Sequence, residues 1–337
     1  MPVLTHQQLR TLLEQHLVRV NTPQDIARQV ADNLVDASLK GHDSHGVTLL
    51  PRYISAILAG DLQPSAQLRL IRDAGPLLSF HGGYGFGQVL GRQAMAAGIE
   101  RAQQYGVALV SLADSHHLGR IGAWAEQVAT EGLVSIHFAN VAAPSAVLPF
   151  EGRNPRLGTN PFCVGVPVSG RAPVILDFAT SAIAGNKARI AWNEGRAIPP
   201  GCAVDADGNP TTDPRWLMEE PYGALLAFGG HKGAGLSLIC SLLGAALTGG
   251  ETESHQIPPR KGIINNMLSI IFDPARLGAG ENYVKEVMAQ LDWMKHDQQG
   301  HDVLLPGEPE ARARQQRLEN GIYVDEVSWK QFEALGL

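Results

Sequence analysis

Between Gly41 and Gly46 the chain sets His42, Asp43, Ser44 and His45 in consecutive positions. A histidine beside a hydroxyl and an acid can move a proton near neutral pH, because free imidazole titrates close to pH 6.5. Three other polar groupings compete with it: Asp114 to Arg120, Thr159 with Asp177 to Lys187, and His231-Lys232. Each has a plainer reading. Asp43 or Ser44 could cap a following helix, His116 and His117 could be loop residues, Asp177 a turn after a strand, and Lys232 a solvated charge. Capping explains Ser44 but not His45.

Other chemistries fail on spacing. Histidines are plentiful, but HExxH and CxxC are absent, so no preorganised metal ligand pair exists and no metal is expected. The GxSxG elbow of a serine hydrolase is missing, and Gly229-Gly230-His231-Lys232 lacks the P-loop spacing. A GxGxxG test around residues 82–87 ends on Gln88 or Leu90 in place of glycine, so the Rossmann fingerprint fails. What remains is proton transfer by histidine beside cations able to hold an anion, which suits redox chemistry on a hydroxy or oxo acid.

The 337 residues suffice for one large α/β domain or two smaller ones. A net charge of −6 with no run of Lys or Arg excludes nucleic acid and anionic membrane surfaces as partners, leaving a small molecule. Cys163, Cys202 and Cys240 are widely spaced, which fits a reducing compartment. With neither a signal-like start nor an apolar run of about 18 residues, a cytoplasmic location is expected.

The elements that must position these groups follow from periodicity. Thr5 and Gln8 form a capping-box pattern ahead of Leu9, Leu13 and Leu17. Thr22-Pro23 supplies an N-cap for a second helix that ends at Lys40-Gly41. A third helix with Pro51 in its first turn would leave His45 at or just before a helix N-terminus, where the macrodipole favours neutral imidazole. Strands are expected at 77–81, 107–112, 133–138, 163–168, 174–178 and 263–272, and a hairpin turn at Asp207-Gly208. Residues 236–247 read as a buried apolar helix, and 283–294 and 310–319 as later helices. Alternation of strand, polar loop and helix leans towards a parallel sheet with ligands at strand C-termini.

Six ordered motifs, GHDSHGV from Gly41, SHHLGRIGAWAE from Ser115, LGTNPFC from Leu157, DFATSAIA from Asp177, HKG from His231 and LLPGE from Leu304, span most of the chain. Together they resemble the malate/L-lactate dehydrogenase family of the second type, which includes ureidoglycolate, sulfolactate and piperideine-2-carboxylate oxidoreductases. The resemblance implies NAD- or NADP-dependent interconversion of a 2-hydroxy acid and a 2-oxo acid. It also implies a non-Rossmann, sulfolactate-dehydrogenase-like α/β fold in a homodimer. Such a fold has a helical domain of both termini (1–75 with 245–337) and a central cofactor domain (76–244) whose sheet is mostly antiparallel, against the parallel leaning above.

On matching positions the resemblance makes His45 the general acid/base and Ser44 its proton-orienting neighbour. His117 shares proton transfer and, with Leu118, Gly119, Arg120 and Ile121, a cofactor loop. Thr159 becomes a substrate contact. Leu176, Asp177, Phe178, Ala179, His231, Lys232, Asn265, Pro306, Gly307 and Glu308 become cofactor contacts. One departure is prominent: many relatives carry arginine four positions after the active histidine, and this chain has Leu49. Arg52 is the candidate substitute, and Lys187 is retained within Asn186-Lys187. The loss of that arginine points to a larger or aromatic side chain on the 2-oxo acid. A reductase of a cyclic imine-2-carboxylate is the alternative enzyme, and a nucleotide-binding protein without catalysis the alternative outside enzymes.

Overall fold

The capping box forms as expected. The Thr5 hydroxyl accepts from the Gln8 N–H, and the Gln8 side chain accepts from the Thr5 N–H. It opens α1 (His6–Arg19) in the computed structural model, which describes residues 2–255, 260–278 and 280–335. Helix α2 (Gln24–Leu39) begins after Pro23, with Thr22 buried and not capping. Gly41 then takes φ +82°, which suits glycine, and two one-turn 3₁₀ segments, Asp43–His45 and Val47–Leu49, precede α3 (Leu50–Ala59). His45 therefore stands ahead of the helix and not at its N-terminus. The extra turn is held by the Ser38 hydroxyl, which accepts from the Val47 N–H at 3.0 Å.

The later helices are α4 (Gly87–Tyr105), α5 (Gly122–Ala129), α6 (Gly185–Asn193), α7 (His231–Cys240), α8 (Gly280–Lys295), α9 (Glu308–Asn320) and α10 (Glu326–Ala334). Leucines of α1 and α2 pack on Leu49, Leu50 and Tyr53 and on Ile322 and Phe332 near the C-terminus, forming one apolar core. The second core lies against a sheet of seven strands. Their order is Arg69–Ala74, Leu77–His81, Val107–His116, Ile264–Phe272, Val134–Ala142, Pro161–Val166 and Val174–Ala179. Every neighbouring pair is antiparallel except Leu77–His81 with Val107–His116, which α4 joins as a crossover. The parallel leaning is corrected here: parallel neighbours need a crossover helix, and only this connection places one between paired strands.

Two further readings change. Ile264–Phe272, drawn with the terminal domain, sits in the middle of the sheet, and its nearly continuous burial fits a strand covered on both faces. The helix expected to be buried over 236–247 is α7, which continues through a π-helical turn at 241–245. It buries Ala234, Ser237, Cys240, Ser241 and Ala245 but leaves Leu238 50% and Leu247 62% exposed. The hairpin at Asp207-Gly208 is present, with Gly208 at φ +88° between short paired strands.

Helix α9 reaches back to the turn at 43–45. Arg317 of α9 donates Nη2 to Asp43 Oδ2 at 2.8 Å and Nη1 to the Ser38 carbonyl at 2.5 Å, while His42 Nε2 lies 3.2 Å from Glu310. Asp43 thus anchors the turn by an ion pair and caps no helix. A Cβ on Gly46 would fall 2.0 Å from Ser38 Oγ. Gly46→Ala is expected to destabilise the fold by roughly 1–3 kcal/mol through overpacking. Urea unfolding followed by circular dichroism checks this, and an unchanged midpoint would contradict it.

Candidate active site

Ser44 and His45 project from the first 3₁₀ turn. Ser44 is buried, its Oγ lies 2.9 Å from His45 Nδ1, and its carbonyl accepts from Asn186 Nδ2 of α6 at 2.9 Å. Asn186 therefore ties α6 to the turn. Burial pulls the His45 pKa down to about 4, helped by His42, Lys187 and Arg120. The neutrality expected from a helix dipole is real but has another cause: desolvation disfavours the charged ring.

The strand Val107–His116 delivers the second histidine pair. His117 stacks on His45, with ring centroids 5.5 Å apart and planes 24° from parallel. Its Nδ1 lies 2.6 Å from the hydroxyl of Tyr53, an α3 residue with no solvent exposure, and Gln88 Nε2 donates to that hydroxyl at 2.7 Å. His116 turns the other way and accepts from the Ile263 N–H at 3.2 Å. Burial holds His117 well below its ordinary pKa and His116 at about 3. Close approach fixes this geometry, since a Cβ on Gly87 would come within 2.4 Å of the His117 carbonyl.

Cations surround these neutral rings. Lys187 is solvent-exposed near His45. Arg52 reaches solvent on one side and donates to the Lys261 carbonyl at 3.4 Å, and it forms no ion pair with a described carboxylate. Partial loss of hydration and then the charge of Arg189 lower its pKa. Asn186, Arg189 and Asn193 follow at helical spacing along one face of α6, which puts Arg189 between the Ser44 carbonyl and Asp325. Leu49 is 1% exposed in the helical core and offers nothing to the cleft.

The expected cofactor residues divide by role. Leu118 and Ile121 bury their side chains in the sheet core, and Gly119 between them is buried too, beside the side chains of Asn33 and Gln88. Buried Arg120 is held by Glu126 at 2.7 Å. Asp177 Oδ2 accepts from the Gly122 N–H at 2.7 Å, and burial raises its pKa. Asn265 Oδ1 accepts from the Leu118 N–H at 2.9 Å and so pins the histidine loop. Pro306 accepts from the Ile175 N–H, which brings Pro306 and Gly307 beside Pro173 and Ile175 at the start of the strand that carries Leu176 to Ala179, while Glu308 is itself paired with Lys295 at 2.5 Å.

The Thr159 carbonyl accepts from Thr180 just beyond Ala179, and Phe178 packs edge-on against Phe228 ahead of His231 and Lys232. A fit for a dinucleotide rests on three of these features. Exposed His231 and Lys232 open α7 with no acid in its first turn, Leu176 is exposed on an edge strand, and uncharged histidines stand at the other end.

Sequence reading missed Tyr53, Gln88, Arg317 and Glu253, which carry no motif. The only signal for Tyr53 was its place on the apolar face of α3. Glu253 is buried and accepts from the Gly158 N–H, Asn160 and Ser241, shaping the loop that carries Thr159. His45, His116, His117 and His137 all resist protonation when folded, His137 between two serine hydroxyls with a pKa of about 3. Their folded pKa values lie below the unfolded value of about 6.5, so their contribution is complete above that pH and drains away towards pH 4. Denaturation midpoints should therefore drop steadily from pH 7 to pH 4.5, and His137→Asn should flatten the slope. A flat profile in the native protein would overturn this account.

Comparison with known proteins agrees with this geometry. The family model described as malate/L-lactate dehydrogenase matches residues 4–333. Hydroxycarboxylate dehydrogenase B of Escherichia coli K12 is 44% identical over 96% of this chain and 91% of its own length. The Δ1-pyrroline-2-carboxylate/Δ1-piperideine-2-carboxylate reductase of Pseudomonas syringae pv. tomato is 33% identical over 98% and 96%. The sulfolactate dehydrogenase structure from Methanocaldococcus jannaschii superposes with a TM-score of 0.87 at 31% identity, covering 99% of this chain and 96% of that one. With its mostly antiparallel sheet and paired histidines, this oxidoreductase belongs to the malate/L-lactate dehydrogenase family.

Proposed function

We propose that the protein interconverts a 2-hydroxy acid and a 2-oxo acid with NAD or NADP, with His45 as general acid/base. The observation that carries this reading is the stacked pair His45–His117, both uncharged and each with one ring nitrogen engaged by a neighbouring hydroxyl. When bound, the nicotinamide supplies the place to which the C2 hydride goes and from which it returns. His45 donates Nδ1–H to Ser44 Oγ, which leaves the Nε2 lone pair to accept the substrate hydroxyl proton. Its low pKa keeps that lone pair free at neutral pH. In the reverse direction the protonated ring returns the proton to the 2-oxo oxygen.

Arg52 and Lys187 are assigned to the substrate carboxylate, and Thr159 to a further substrate contact. Arginine offers the planar fork that a carboxylate matches, and Arg52 has no acid partner among the described residues. The cofactor is assigned to the strip from His117 through Leu176 to Ala179 and Pro306 to Glu308, ending at His231 and Lys232. A cytoplasmic homodimer is part of the same reading. It is supported by the exposed leucines of α7 and by Trp293 of α8, 73% exposed on a helix with no buried residue. No helix among the described residues is long and apolar enough to cross a membrane.

The test follows NADH and NADPH absorbance against a panel of aliphatic, aromatic and dicarboxylic 2-oxo acids plus a cyclic imine-2-carboxylate. Turnover of a 2-oxo acid is expected, abolished in His45→Ala while cofactor binding by fluorescence persists. Turnover of the imine alone would replace this reading with the reductase. Arg52→Ala should raise KM for the 2-oxo acid about ten- to hundredfold, the worth of a charged hydrogen bond of about 1.5–3 kcal/mol. An unchanged KM would remove Arg52 from the carboxylate site.

A further inference from the structure

The hydrogen bonds behind His117 have a direction. Gln88 Nε2 is an amide nitrogen that can only donate, and it lies 2.7 Å from the Tyr53 oxygen. With that oxygen occupied as an acceptor, the single Tyr53 proton is free to point at the remaining neighbour, His117 Nδ1, 2.6 Å away. Tyr53 and Gln88 are both sealed from solvent, so water does not compete for these bonds. The tyrosine proton also stays in place, because burial pushes the phenol pKa up from 10. Phe86 and the edge of His116 pack against the Tyr53 ring and fix its orientation.

The geometry points to a tautomer relay: Gln88 and Tyr53 are positioning residues that lock neutral His117 with its proton on Nε2, so that His117 meets the substrate oxygen as a hydrogen-bond donor. This rests on the placement of His117 in the site proposed above. Nε2 of His117 has no partner among the described residues, so this donor is available to a ligand. The two stacked histidines then have opposite duties. His45, with its proton turned to Ser44, accepts from the substrate hydroxyl. His117 steadies the negative charge that gathers on the same oxygen as the proton leaves, or polarises the 2-oxo group in reduction. No bond to His117 forms or breaks, and the proton count closes on His45 alone. A histidine able to flip between tautomers would present a lone pair to that oxygen half the time and repel it.

Nitrogen-15 NMR of histidine-labelled protein, with His117→Asn used to assign the ring, reads the tautomer directly, with and without NADH. The expected result is a protonated, pyrrole-type Nε2 and an unprotonated Nδ1 across pH 6 to 8. Tyr53→Phe keeps the packed ring and should give mixed tautomers, with kcat lowered about ten- to hundredfold, the scale of losing a ligand-orienting partner. KM for NADH should stay within about twofold. Gln88→Met, which frees the Tyr53 proton to swing, should give a smaller loss of the same kind. A native protein with Nδ1 protonated would overturn the proposal, as would Tyr53→Phe with slow turnover but an unmixed tautomer. The NMR result is independent of turnover. If no 2-oxo acid reacts, the proposed activity fails while the tautomer still decides the relay.

Discussion

Everything at this site depends on keeping imidazole dry. His45 and His117 sit where the helical core of both termini meets the sheet, and withdrawal from water, more than any partner charge, makes them neutral. Cations close by, with no carboxylate among the described residues acting on either ring, reinforce that neutrality and leave the cleft attractive to an anion. A carboxylate facing either ring would stabilise the imidazolium and remove the lone pair that the proposed proton transfer uses. The fold accordingly spends its acids elsewhere: Asp43 on Arg317, Glu310 on His42, Glu126 on Arg120, and Asp177 on the start of α5.

This economy explains why several residues matched by motif act through their neighbours. Asn265 engages no free ligand face but holds the Leu118 N–H, and Asn186 holds the Ser44 carbonyl. Side-chain amides suit the task because they fix backbone groups without bringing charge near the rings. Gln88 is likewise uncharged, but it holds a side chain, the Tyr53 hydroxyl. Hydroxyls and amides set direction around the site, and of its cations Lys187 and Arg52 reach solvent while Arg120 is buried against Glu126.

Local rules made much of this legible in the sequence. The Thr5 capping box, the glycine at 41, the hairpin at Asp207-Gly208 and most helices and strands depend on neighbours within a few residues, and they stand close to where periodicity put them. Ordered motifs singled out His45, Ser44 and His117, which the structure brings together. Long-range pairing was not legible. Nothing in INNMLSIIF says that it will lie between strands from residues 107–116 and 134–142, and nothing local tells that Tyr53, 64 residues away, will meet His117. The apolar run at 236–247 was misjudged because hydrophobicity reports that a face wants cover without reporting whether this chain supplies it. The cause assigned to His45 neutrality failed similarly, since one 3₁₀ turn separates it from the helix end.

The insertion of Ile264–Phe272 at the centre of the sheet has a consequence for how the molecule comes into being. During synthesis the strands up to 116 and those from 134 to 179 leave the ribosome as two unfinished half-sheets, each with a raw hydrogen-bonding edge facing the other. The piece that joins them arrives more than eighty residues later, and Arg317, which fastens the histidine turn, arrives later still. Long loops must close before either gain is realised, so folding is late, non-local and slow, with sticky edges open meanwhile. Until residue 264 has emerged, those two edges have no strand of this chain to pair with.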